Sequence, residues 1–75
     1  MPYQIAQIQA ARDDPDATFE WLDRAVATKD PGIAFLPSDP FLMRYRGDPR
    51  LTQVALKAGL RADSISTSEA VPMRR

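Results

Sequence analysis

Apolar residues recur at helical spacing along most of this chain, and the breaks between runs fall at Asp-Pro pairs. Residues 2–12 carry Tyr3, Ile5, Ala6, Ile8, Ala10 and Ala11 among glutamines. Ile5 and Ile8 stand three apart, which predicts an amphipathic helix with a narrow apolar face. Pro2 suits its first turn, and Arg12 suits the negative end of its dipole. A second helix is predicted over 15–28, where Leu22, Ala25 and Val26 form one stripe and Phe19 and Trp21 widen it on either side. One narrow stripe cannot take both aromatic rings fully inward. Trp21 is therefore a candidate for the core and for an exposed anchor. Glu20 and Arg24 form an i,i+4 pair in the favourable order.

The Asp-Pro pairs are Asp14-Pro15, Asp30-Pro31, Asp39-Pro40 and Asp48-Pro49. An Asp side chain accepts orphan N–H groups at a helix start, and Pro is well tolerated as the first helical residue. Asp14-Pro15 is expected to open the second helix and Asp30-Pro31 to end it, with Gly32 in a left-handed conformation. Ile33-Ala34-Phe35-Leu36 is too short for periodicity to separate strand from helix. With no strand to pair with, it reads as an irregular apolar connector lying on the first two helices. Asp39-Pro40 and Asp48-Pro49 then open short helices over 40–46, facing inward through Phe41, Leu42 and Tyr45, and over 49–58, facing inward through Leu51, Val54 and Ala55. Gly59 fits the C′ position of the last helix, with Leu60 folding back on it. The expected fold is all-α: an antiparallel helical hairpin followed by two short capping helices, packed over residues 1–60. Residues 61–75 are polar, lack sustained periodicity, and read as a disordered tail.

Composition narrows the chemistry. Seventy-five residues make one small domain, which buries only about 60% of its unfolded surface. Help from a partner subunit, or from a larger parent protein, is a reasonable expectation. The chain has no Cys and no His, so it has no disulfide, no thiolate and no imidazole. Ser64, Ser66 and Ser68 have no base to activate them, and no catalytic residue, cofactor or metal is expected. Asp13, Asp14 and Asp16 lack the spacing of a calcium loop and read as caps. No apolar run spans a bilayer and no secretory signal opens the chain, so a cytoplasmic protein is expected. Net charge is zero but uneven: residues 1–43 hold three basic and seven acidic side chains, and residues 44–75 hold seven and three.

The hairpin sets a small residue, Thr18, a large one, Leu22, then Ala25 along its second helix and Pro31 after it, with the small Ala6 facing them from the first. In these positions it resembles a tetratricopeptide repeat. The stretch Asp39-Pro40-Phe41, Tyr45-Arg46, Asp48-Pro49-Arg50-Leu51 and Gly59-Leu60 resembles the closing segment after the last repeat of many bacterial regulatory proteins. Together these cover about residues 3–60. Gln9 stands where an aromatic is usual, Thr18 where Ala is usual, and Asp13 where the turn Gly is common. The resemblance implies a non-catalytic protein-interaction module. A peptide-carboxylate clamp of the kind some repeat domains use would need several basic and amide side chains on the first helices, where only Arg12 is available.

One repeat cannot cover both its faces, because such architectures need about three repeats. The cap would cover one side and leave the first-helix face open. Tyr3, Ile5, Ile8, Arg12 and Trp21 are the expected partner-binding residues, and the expected partner is a second copy, an upstream repeat or another chain. An alternative is a patch of Arg44, Tyr45, Arg46, Arg50 and Lys57 binding nucleic acid or an anionic surface; ion pairing to the acidic second helix is the competing reading. A third reading is an accessory or end-cap fragment of a larger regulator or enzyme.

Overall fold

A computed structural model describes residues 1–61 together with Asp63 and Ile65. Among these the architecture is all-α, with no strand. Helix α1 spans Pro2–Ala11 and α2 spans Pro15–Ala27. A 3-10 helix over Pro31–Ser38 follows, then α3 over Pro40–Met43 and α4 over Pro49–Lys57. Helices α1 and α2 pack on each other as a hairpin. Helix α4 packs on α2, while α3 and the 3-10 helix lie against α1 and against each other.

All four Asp-Pro pairs open helices, with Pro inside the first turn of each. The Asp side chains accept backbone N–H groups from Ala17, Gly32, Phe41 and Arg50, at 3.2, 2.9, 2.9 and 2.9 Å. Asp30-Pro31 therefore starts an element instead of ending one. Residues 33–36 lie inside a capped 3-10 helix, not in an irregular connector. Tight i→i+3 bonding suits such short apolar pieces.

Three helices end alike. Asp13 and Lys29 sit at φ 56° and Gly59 at φ 83°. Each helix closes with the paired bonds of a Schellman motif: Asp14 to Gln9 and Asp13 to Ala10; Asp30 to Ala25 and Lys29 to Val26; Leu60 to Ala55 and Gly59 to Leu56. The left-handed residue after α2 is thus Lys29, and the expectation for Gly32 was wrong. Gly32 is required by a close approach: a Cβ there would lie 2.9 Å from Tyr3 Cδ2.

The core draws on every element. Ala6 and Ala10 of α1 meet Thr18, Phe19, Leu22 and Ala25 of α2, and Leu36, Leu42, Leu51, Val54 and Ala55 complete it. The expected inward face of α4 is the observed one. Helix α3 ends sooner than expected and faces differently: Leu42 is buried and Tyr45 half-buried, but Phe41 is exposed. A single turn anchored by Leu42 cannot also turn its immediate neighbour inward. Ile65 is 1% exposed and belongs to the core, so packing continues past Leu60. A lone Ile in a polar run carries no periodic signal, yet it is apolar enough to be buried. Of the rest of the expected disordered tail, Arg61 and Asp63 form an exposed ion pair at 2.8 Å, and the remainder, with Ser64, Ser66 and Ser68, lies outside the described residues.

Candidate functional site

Tyr3 lies in the core, 4% exposed, and is not an anchor on an open face as expected. The reason is polar as well as apolar. Its ring packs against Gly32, and its hydroxyl donates to Asp39 Oδ2 at 2.7 Å. Its backbone N–H donates to Asp30 Oδ2 at 3.0 Å. That N–H is one of the orphan donors at the start of α1, where Met1 supplies no side-chain cap. Asp30 therefore caps two helices, its own 3-10 helix and, from a distance in sequence, α1. These two backbone N–H donors, Tyr3's first and Gly32's second, hold its carboxyl below the usual carboxylate range. Burial, followed by the bond to Asp39, pushes the Tyr3 phenol well above its ordinary value, so it stays protonated and donates.

Asp39 is 6% exposed and also works twice. Its Oδ1 caps α3 through the Phe41 N–H, and its Oδ2 accepts from the Tyr3 hydroxyl and from Gln7 Nε2 at 2.6 Å. Tyr3 and Gln7 are four apart and share one face of α1, so a single carboxylate from the α3 start holds that face.

Beside this clasp an open groove of about 390 Å³ runs between α1 and α3, lined by Gln4, Gln7, Ile8, Ala11 and Phe41. Ile8 is 56% exposed and Phe41 52%. Ile8 thus stands on the open first-helix face, as expected. Ile5 is half-buried, and Arg12 is exposed at the C-cap of α1. Trp21 is half-buried on α2, packed against the core, with the Arg24 guanidinium 4.5 Å from its ring centroid. Tyr3, Ile5, Arg12 and Trp21 are therefore not groove residues; Gln4, Gln7, Ala11 and Phe41 join Ile8 there. Phe41 could not be found from periodicity, since an aromatic in a short helix reads as inward-facing.

No protein-family model, curated protein or solved structure matches the chain.

The basic second half of the chain pairs with the acidic first half. Arg50 meets Asp16 at 3.0 Å, Lys57 meets Asp23 at 3.7 Å, and Arg44 donates to the Ala10 carbonyl at 2.8 Å with Asp13 at 3.8 Å. Arg50 also stacks 4.4 Å from the Phe19 ring centroid. Exposed pairs like these contribute little stability each. Their effect is to occupy most of the cations in the Arg44–Lys57 stretch. Asp13, Asp14 and Asp16 are likewise used: Asp13 accepts from the Tyr45 hydroxyl, Asp14 caps α2, and Asp16 meets Arg50. Among the described residues no helix is long and apolar enough to cross a membrane.

Proposed function

We propose that the protein is a non-catalytic interaction module, a single tetratricopeptide-like hairpin with a helical cap, which binds a second copy of itself through the α1–α3 groove. The observation that carries this reading is the pairing of Ile8 and Phe41, both more than half exposed, on an uncharged groove. Interface cores are marked by depletion of charge and enrichment of aromatic side chains. Three features favour a copy of the chain over another partner. A two-fold axis sets the same patch against itself, and a patch without charge meets no like-charge repulsion there. Gln4 and Gln7 amides each carry donor and acceptor, so either can pair with its own copy. The chain's net charge is zero, which leaves no long-range repulsion between copies.

The family reading is supported by burial at four of the five positions that define the resemblance: Ala6, Thr18, Leu22 and Ala25 are fully buried, while Pro31 is exposed. Binding of nucleic acid through Arg44, Arg46, Arg50 and Lys57 is the weaker reading, because three of these four already face intramolecular acceptors.

Sedimentation velocity from micromolar to millimolar concentration tests the proposal. The wild type should sediment faster as concentration rises, and Ile8→Asp should sediment as a monomer throughout while keeping its helical circular dichroism. A wild type that stays monomeric over the whole range would contradict it.

A further inference from the structure

We infer that Asp39 is the positioning residue of the docking groove: its buried carboxylate fixes Gln7 on one wall and Phe41 on the other, and so sets the shape that a second copy meets. The inference rests on the docking reading above but concerns how the groove is built.

The two walls come from elements far apart in sequence. Gln7 belongs to α1 and Phe41 to α3. One side chain ties both: Gln7 Nε2 donates to Asp39 Oδ2 at 2.6 Å, and the Phe41 N–H donates to Asp39 Oδ1 at 2.9 Å. The carboxylate is itself held, since the Tyr3 hydroxyl donates to the same Oδ2 at 2.7 Å, and Tyr3 is immobilised by Asp30 and by its contact with Gly32. Charge-assisted bonds of this length are about twice as strong as neutral ones. Phe41 is more than half exposed on a helix of a single turn, and an isolated turn has little intrinsic stability. Leu42 anchors that turn in the core, and the Asp39 cap fixes the backbone at Phe41 itself. Gln7, a long flexible side chain, would otherwise sample many rotamers over the groove floor, and ordering it on binding would cost affinity. Asp39 therefore acts on docking through pre-organisation. It is buried, with Gln7 and Phe41, the residues it holds, lining the groove.

The test uses Gln7→Met, which keeps length and helix propensity but cannot donate, and Asp39→Asn, which keeps shape and one acceptor. Each is read by sedimentation equilibrium and by the fluorine resonance of a 4-fluorophenylalanine at position 41, below the concentration of self-association. Gln7→Met should lower the melting temperature of the monomer by several degrees and, among folded molecules, weaken dimerisation about tenfold. Asp39→Asn should weaken it further and shift and broaden the fluorine line. A merely structural role would lower the melting temperature and leave the dimer affinity of the folded fraction unchanged. If both variants dimerise like the wild type with unchanged fluorine spectra, the inference is overturned. If the wild type never dimerises, the docking proposal fails, and the fluorine spectra alone decide whether Asp39 positions Phe41. If Asp39→Asn does not fold, Tyr3→Phe, which removes a donor to the same Oδ2 from outside the groove, carries the decision: an unchanged fluorine line and unchanged dimer affinity would overturn the inference.

Discussion

Asp14 and Asp39 sit in the same dipeptide, at the same helix position, and do different work. Asp14 is exposed and satisfies one N–H of its own helix. Asp39 is buried and satisfies one N–H of its own helix plus two side chains of α1. Asp48 and Asp30 repeat the contrast. Asp48 adds only its neighbour Arg50, whereas Asp30 adds the first free N–H of α1. A carboxylate has two oxygens and a local cap uses one. Burial beside another element turns the second oxygen into a tertiary contact. The outer pair start helices, and the inner pair start helices and fasten the N-terminal one.

The largest effect expected from this contrast is at Asp39. Asp39→Ala strands the Tyr3 hydroxyl, the Phe41 N–H and the Gln7 amide, and should cost about 3 kcal/mol. Asp14→Ala removes one exposed cap and should cost about 1 kcal/mol. Urea denaturation of the two variants checks the difference, and equal losses would erase the distinction between inner and outer caps. Next comes the phenol that the inner pair grips. Gly32→Ala pushes a methyl into a ring fixed at both ends and should cost about 2 kcal/mol. Tyr3→Phe keeps the ring and loses one bond, at about 1–2 kcal/mol. Smaller and of opposite sign is Lys29→Gly, which relieves a left-handed non-glycine residue and should raise stability by about 0.5–1 kcal/mol in thermal melts.

Acid and salt give the finest separation. Both Asp30 and Asp48 are held below the ordinary carboxylate range, Asp30 by backbone N–H groups first and Asp48 by the Arg50 side chain first. Stability from each is complete above that range and is lost as pH falls through the lowered folded value. At 1 M salt screening acts within about 3 Å. The Asp48 carboxyl should then titrate nearer its ordinary value, while the shielded Asp30 carboxyl barely moves. Carbon-13 shifts of the two carboxyl groups report both.

Local signals in the chain reach a long way here. Three of the four Asp-Pro pairs read as the helix starts they are, Asp30-Pro31 being taken for the end of α2, and Leu51, Val54, Ala55, Gly59 and Leu60 read as the helix and cap they form. What periodicity could not reach is whatever depends on a distant partner. Tyr3 looked like part of an exposed face because its acceptors, Asp30 and Asp39, lie far along the chain and their second oxygens carry no sequence mark. Gly32 looked like a turn residue, because a steric demand from Tyr3 is invisible without the fold. Asp13 and Lys29 as left-handed helix ends were hidden by the expectation of glycine. Of the groove between α1 and α3, Ile8 was legible from the narrow stripe of α1. Phe41 was not, because the groove forms only where α3 lies against α1, two elements far apart in the chain.

Hydrogen exchange at the Tyr3 amide tests the fastening most directly. An amide in the first turn of a helix normally exchanges almost freely, since no carbonyl of its own helix can receive it. If Asp30 caps α1 from across the fold, the Tyr3 amide should exchange only on global unfolding, at the rate of the slowest core amides of α2, and should lose that protection in Asp30→Ala. A Tyr3 amide that exchanges as fast as a frayed terminus in the wild type would contradict the account.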